Sequence, residues 1–356
     1  MRIKAAVTAI EQNTSTNTGA VDEHLRWLIR SDDGQLINLW YQRLRAGSTV
    51  EQLVAQRLLS KNFRGSSLDS LVAQRVLGVV SHAVREDVPL RLFIPFGGYK
   101  SPASREYPEA SWAEVFAIAG MCELVSPICR IHAPGVVIEF SSDEAIVPLF
   151  MGADEVVLNR YRSRFDHILS VVAAGQHRNL KLKQSLLRDD YDIDGLSRRI
   201  RELGKALESR WFSNLFSDEK ARLLGAAERN CFGALPMDLE DRMRVLTRSV
   251  CQHQAYLEID NVERGTILFA PTTIPIALRR GLDGWLHLGS NRRSAVQFWI
   301  GAGVLDRRQT GKRAPILPPK RYLSLAPKSI GVSRSIINLD GMEQIPVMDA
   351  AIAAED

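Results

Sequence analysis

Cysteine, paired histidine and long apolar runs are all scarce in this 356-residue chain. Its four cysteines, Cys122, Cys129, Cys231 and Cys251, form no CxxC pair. That excludes the usual zinc-finger spacing and a disulfide framework, so they read as free thiols in a reducing compartment. Seven histidines are scattered with no HExxH or HxH pair, and no metal is expected. No stretch approaches the ~18 apolar residues of a membrane span. Residues Met1 to Ile10 hold two basic side chains and no apolar run suited to a signal peptide, so the expected location is the cytoplasm. GxSxG and Walker A motifs are also missing. Neither Gly97-Gly98 nor Gly301-Ala302-Gly303 completes a GxGxxG fingerprint, since Val304-Leu305-Asp306 follows the latter. NAD and ATP are not expected, and no cofactor is assigned.

What is present belongs to an ordinary globular protein: 45% hydrophobic and 24% charged residues. The net charge of +5 is unevenly placed. From Arg279 to Arg334 there are 12 basic side chains against only Asp283 and Asp306, a stretch open to phosphate, nucleic acid, an acidic partner or plain solvation.

The chain divides by pattern. Residues 1–20, with the polar run Gln12 to Gly19, read as a flexible arm. Residues 21–185 read as a Rossmann-like α/β core, 186–260 as a helical insertion, 261–340 as a β-rich completion of the core, and 341–356 as a tail. Within the core, apolar residues at helical spacing between Val50 and Arg85 give two helices. They feed a strand at 89–95. A helix over about 111–125 opens on Ser111 and Glu114 as a capping box and carries Trp112, Val115, Phe116, Ala119 and Cys122 as its apolar stripe. A second strand at 136–141 completes a βαβ unit, which implies parallel strands. A helix from about Asp154 to Val172 and a strand-like run Asn179–Lys183 follow. Short β-rich runs after Gly265, including Pro275–Leu278 and Trp285–Leu288, predict further strands, some antiparallel. The expected fold is a mostly parallel Rossmann-like sheet flanked by helices.

Chemistry concentrates where strands end. The strand at 89–95 runs into Phe96-Gly97-Gly98-Tyr99-Lys100-Ser101-Pro102, and open α/β sheets bind ligands outside such carboxyl ends. Lys100 can form a Schiff base, act as acid or base, or hold a phosphate; it can equally be a surface lysine. Tyr99 either donates to a substrate or caps the core. The second strand ends in Ser141-Ser142-Asp143-Glu144. Asp143 is a candidate to bind an amine, with a helix N-cap as its alternative, and Ser142 a candidate to bind an amine or position a sugar hydroxyl. Glu139, inside that strand, needs a cationic substrate or an arginine if it faces inward. His287 lies between leucines and reads as a core histidine or a substrate contact. Arg279, Arg292 and Arg293 suit a carboxylate or phosphate clamp.

The run Ile94-Pro95-Phe96 to Lys100-Ser101-Pro102, a helix, then Pro134-Gly135 and Ser142-Asp143 resembles the isocyanide (isonitrile) synthase family, which includes the fungal spore-wall dityrosine enzymes. The resemblance covers roughly residues 88–172. The chain differs in the two glycines before Lys100 and in having no Arg-Leu-Ser-x-His-Pro segment. The resemblance implies a Rossmann-like fold, an amino acid and a pentulose phosphate as small-molecule substrates, and no metal or redox cofactor. With it, Lys100, Asp143 and Tyr99 become catalytic candidates. Ser101, Ser142, Glu139, His287, Arg279, Arg292 and Arg293 become substrate-binding ones. Alternatives are a family relative with different amino-acid-modifying chemistry, an RNA- or tRNA-handling protein using the basic stretch, and a non-catalytic partner protein. The basic stretch lacks the aromatic interleaving of a stacking platform, so a nucleic-acid partner is not expected; neither is a membrane.

Overall fold

A computed structural model describes residues 34–64, 67–100, 110, 112–265, 270–277 and 284–289, together with the backbone of strands at 304–305, 316–317, 332–339 and 342–350. The described residues open with helices α1 (Gly34–Arg45), α2 (Val50–Leu58) and α3 (Ser70–Arg85). Local chemistry sets their starts. Thr49 and Gln52 form a reciprocal capping box on α2, and the Asp69 carboxylate accepts from the Leu71 amide at 2.8 Å on α3. Next come β1 (Leu90–Phe96), α4 (Trp112–Val125), β2 (Val136–Ser142), α5 (Glu155–Ala174) and β3 (Leu180–Leu186). Asp154 caps α5, its carboxylate accepting from Val156 at 2.7 Å. Three long helices follow, α6 (Ile193–Arg210), α7 (Ser217–Asn230) and α8 (Leu239–Glu263). Only then do β4 (Thr273–Ala277) and β5 (Leu286–His287) appear.

These five strands form one sheet in the order β3-β2-β1-β4-β5, with every neighbouring pair parallel. The fold is therefore the expected α/β one, a parallel sheet flanked by helices. Parallel pairing of β1 with β2, Leu90 opposite Val136 through Phe96 opposite Ser142, is as the βαβ pattern requires. The antiparallel strands expected late in the chain are not β4 and β5. They lie in a second sheet of β6 (Val304–Leu305), β7 (Ile316–Leu317), β8 (Val332–Leu339) and β9 (Met342–Ala350), ordered β7-β6-β9-β8. Residues 342–350, expected in a tail, are thus a strand. Two further β-rich runs of the sequence, Thr266–Phe269 and Ala295–Ile300, lie outside the described residues, as do the N-terminal arm and most of the basic stretch from Arg279 to Arg334.

In-register parallel strands put alternate residues on opposite faces, and the two faces of this sheet differ in kind. Leu90, Leu92, Ile94 and Phe96, with Val136, Ile138 and Phe140, Ile274 and Ile276, and Leu286, all face one way. They form a continuous core with side chains of α2, α3, α4 and α5. Each such fully buried aliphatic side chain contributes about 1.5–3 kcal/mol of transfer free energy, which makes this face the stability of the domain. The opposite face carries Arg91, Phe93, Glu139, Ser141, Lys183, Ser185, Thr273 and His287. Buried strands rarely read so polar on one side. Here the polarity is organised: Glu139 is met by Arg91 of β1 and Lys183 of β3, at 2.6 and 2.9 Å. Helices α6 to α8 and the short helix Val147–Met151 share a second core built on Ile200, Leu207, Leu246, Val250 and Ala255.

α4 departs from the expected stripe. Every side chain described from Val115 to Val125 except Glu123 is buried, Val115, Ala119 and Cys122 among them, because α4 also packs against α2 and α5. The stripe residues Trp112 and Phe116, and Ser111 of the expected capping box, have side chains outside the described residues. Glu114, the other half of that box, is committed elsewhere.

Candidate active site

Strand order 3-2-1-4-5 reverses the direction of winding between β1 and β4. In open α/β sheets that switch point opens a crevice at the carboxyl ends of the strands. The β1 carboxyl end leads directly to Gly97-Gly98-Tyr99-Lys100. Gly98 has φ +66°, and a Cβ there would stand 2.2 Å from the Ser142 Oγ. A Cβ on Gly97 would strike the Tyr99 ring at 2.3 Å. The glycine pair thus lets the chain fold back tightly against the end of β2.

Lys100 ends this turn with 1% of its surface exposed. Its Nζ donates to both carboxylate oxygens of Glu114 on α4, each at 2.8 Å, and Tyr161 of α5 donates to the same carboxylate at 3.2 Å. The side chains of both ion-pair partners are wholly buried. Lys100 is therefore not the solvated loop lysine that one sequence reading allowed. Tyr161 stacks along Phe165, which packs against Phe96 and Phe140, so this group sits on the apolar face of the sheet.

A different set of ionisable groups gathers on the polar face. Arg264, just beyond α8 and 2% exposed, donates from Nη1 to the Ser141 Oγ at 2.6 Å. Its Nε lies 2.9 Å from Asp260 and 3.7 Å from Asp190, and its guanidinium is flanked by the rings of Phe93 and Tyr191. Tyr191 donates to Asp260 at 3.1 Å. Asp143 stands among them, its carboxylate taking a hydrogen bond from Tyr256. Burial, reinforced by the charge of Asp260 and opposed by that of Arg264, pushes the Asp143 carboxyl up to about 7. Burial likewise raises Asp260. One guanidinium faces three carboxyls here, so a proton held on Asp143 near neutrality is the expected balance. Asp143 is not a helix N-cap: the helix after it is Val147–Met151, whose N-cap is Ile146, with no side-chain cap.

Alternation along β2 thus separates residues the sequence had grouped. Asp143 continues the Glu139–Ser141 side, toward α8. Ser142 points the other way and donates at 2.7 Å to Glu144, which Arg162 and Arg188 approach at 3.3 and 3.2 Å. Lys100 and Asp143 share the carboxyl edge of the sheet, Lys100 bonded to Glu114 on its apolar face and Asp143 beside Tyr256 and Arg264 on its polar one. Glu139 finds its cations inside the sheet, and its carboxyl is lowered by Lys183 and Arg91 against the opposing effect of burial. Tyr99 is half-buried with its ring edge-on to Phe232 at 5.4 Å. His287 is half-buried on β5, opposite Ala277, at the far side of the sheet from β3. Ser101, Arg279, Arg292 and Arg293 lie outside the described residues.

Tyr161, Tyr256, Asp260 and Arg264 were not singled out from sequence, and Glu114 only as half of a capping box. Glu114 had a signal, an acid in a helix whose only other charged residue is Glu123. Arg264 had none, because the residue it bonds lies 123 positions away.

Among the described residues no cluster of His, Cys, Asp and Glu is arranged to hold a metal, and no helix is long and apolar enough to cross a membrane. A groove of about 530 Å³ lies between α3 and Ala270-Pro271. Since Pro271 precedes β4, the groove opens at the amino-terminal end of the strands, away from these side chains.

No protein-family model matches the sequence, and no curated protein matches it. Solved structures do. The chain is similar to the crystal structure of the PvcA protein from Pseudomonas aeruginosa, with a TM-score of 0.56 and 16% identity, over 86% of this chain and 100% of that one. At that identity the likeness is one of architecture: the chain shares its α/β fold with PvcA.

Proposed function

We propose that this protein is a biosynthetic enzyme acting on an amino acid, joining its amine to a sugar phosphate such as ribulose 5-phosphate in the manner of isonitrile synthases. The observation that carries this reading is Asp143: a carboxyl poised near neutrality, beside a buried arginine, at the carboxyl end of a strand next to the switch point. The motif resemblance over residues 88–172 supplies the substrate classes, and the fold shared with PvcA extends over most of the chain.

Condensation begins when the amine nitrogen attacks the sugar's carbonyl carbon. The ammonium must first lose a proton, and the carbonyl oxygen must gain protons to leave as water, giving an imine. Asp143, with a pKa close to the working pH, is suited to take the first proton and return it. Tyr256, hydrogen-bonded to it, fixes the orientation of the carboxyl. Lys100 serves in this account as the buried tie between the β1 turn and α4. Its sequence-assigned role as acid or base would require breaking the pair with Glu114. Arg279, Arg292 and Arg293 remain the proposed phosphate clamp, and Ser101 and His287 proposed substrate contacts. Arg279 follows β4 by two residues, the strand on the other side of the switch point.

The test is turnover. The purified chain is incubated with each common amino acid and ribulose 5-phosphate, and consumption of both is followed by mass spectrometry. Coupled consumption of one amino acid, lost in Asp143→Asn, supports the proposal. If no amino acid is consumed with the sugar phosphate, the proposal fails.

A further inference from the structure

We infer that Arg264, Ser141 and Asp143 form a subsite for the zwitterionic head group of a free α-amino acid, with Arg264 taking the carboxylate and Asp143 the ammonium. The inference rests on the amino-acid reading above and goes on to say which groups select the substrate.

Arg264 is the starting point. Its Nη2 is buried and finds no hydrogen-bond acceptor among the described residues. The guanidinium is placed by its other contacts: Nη1 donates to Ser141, Nε stands 2.9 Å from Asp260 though without a hydrogen bond of its own, and the rings of Phe93 and Tyr191 lie within 6 Å. A buried guanidinium edge left without an acceptor is costly, and one held this rigidly is already oriented for a ligand. A carboxylate is the acceptor whose planar geometry matches that edge.

Charge decides which carboxylate. Asp143, Asp260 and Asp190 already outnumber Arg264, so a bare anion would add to a local excess of negative charge. A bare amine would relieve that excess but leave Nη2 unpaired. An α-amino acid does both, adding no net charge while supplying an acceptor to Arg264 and a donor to Asp143. The ammonium then sits on the very carboxyl proposed to deprotonate it. The same reasoning excludes the sugar phosphate from this subsite and leaves its dianion to cations elsewhere.

Binding to the full chain by isothermal titration tests this without relying on a buried substitution. The probes are the common L-amino acids and, for the tightest, its carboxamide, its decarboxylated amine and inorganic phosphate. The amino acid should bind at least about tenfold more tightly than its carboxamide or amine, the loss expected for one charge-assisted hydrogen bond, and phosphate should not compete with it. Arg264→Gln should weaken the amino acid by a similar factor while leaving the carboxamide within about twofold. Ser141→Ala, a milder change, should weaken the amino acid alone in the same direction. Equal binding of amino acid and carboxamide by the native chain, or competition by phosphate, overturns the inference. If the carboxamide is also turned over as well as the amino acid, the proposed function stands and this subsite fails. If no amino acid binds or reacts, both fail.

Discussion

Lys100 and Asp143 sit at the ends of adjacent strands, yet burial treats them in opposite ways. Lys100 and Glu114 neutralise each other inside the apolar layer, where an unpartnered charge is strongly unfavourable. Lys100→Ala should therefore cost about 3–5 kcal/mol in stability, because it strands the Glu114 carboxylate. Lys100→Met combined with Glu114→Leu should recover most of that loss. Urea unfolding of the two variants checks the point; a Lys100→Ala protein as stable as the native chain would return Lys100 to a solvated role. The burial of Asp143 is only partly offset by Arg264 and Tyr256, so its pKa rises from 3.8 to about 7. A carboxyl raised on folding supports stability fully below its unfolded pKa, and that support is lost as pH rises through about 7. Asp143→Asn should thus gain stability relative to the native chain between pH 4 and pH 8, read as melting temperature against pH. On the proposed function, turnover by the native chain should rise with pH along a limb centred near 7, the range in which Asp143 becomes a base. A rate flat across that range would remove Asp143 from the chemistry.

At the level of elements, the end of β1 depends on Gly98. A side chain there must adopt φ +66° and push into Ser142. Gly98→Ala should lose at least about 1–2 kcal/mol from the backbone alone, with part of any further loss recovered by Ser142→Gly in the same chain. Thermal unfolding of the single and double variants separates strain from contact; a neutral Gly98→Ala would mean that the turn is not held as described. The sequence made much of this region legible. β1, α4 and β2 announce themselves as apolar runs, and the Gly-Gly turn marks the close approach. The strand-like run Asn179–Lys183 overlaps β3, and α6 to α8 lie where a helical pattern was read over 186–260, the last helix running on to Glu263. Harder to read was which face of β2 each residue occupies. Ser141, Ser142 and Asp143 are consecutive, but the two-residue period of a strand sends Ser142 toward Glu144 and its neighbours toward Arg264. The direction of β4 and β5 was equally hidden, since a run of five residues or fewer carries no signal of its partner.

Across the whole molecule, the chain builds one half of the sheet, passes through α6 to α8, and returns on the other side of β1. That detour places Arg264, Asp260 and Tyr256 over the strand ends of the first half. The polar face of the sheet is thereby completed by a distant part of the chain, which is why local sequence pattern found Asp143 but not its companions. The central claim is that these companions make an amino-acid condensing site at the switch point. It is tested most directly by following a ¹⁵N-labelled amino acid in the presence of ribulose 5-phosphate and the full chain. The account predicts a product that keeps the label on the amino-acid skeleton, exchanges its two amine hydrogens for bonds to one sugar-derived carbon, and does not form with Asp143→Asn. Label released as ammonia, or recovered entirely in unchanged amino acid, would contradict it.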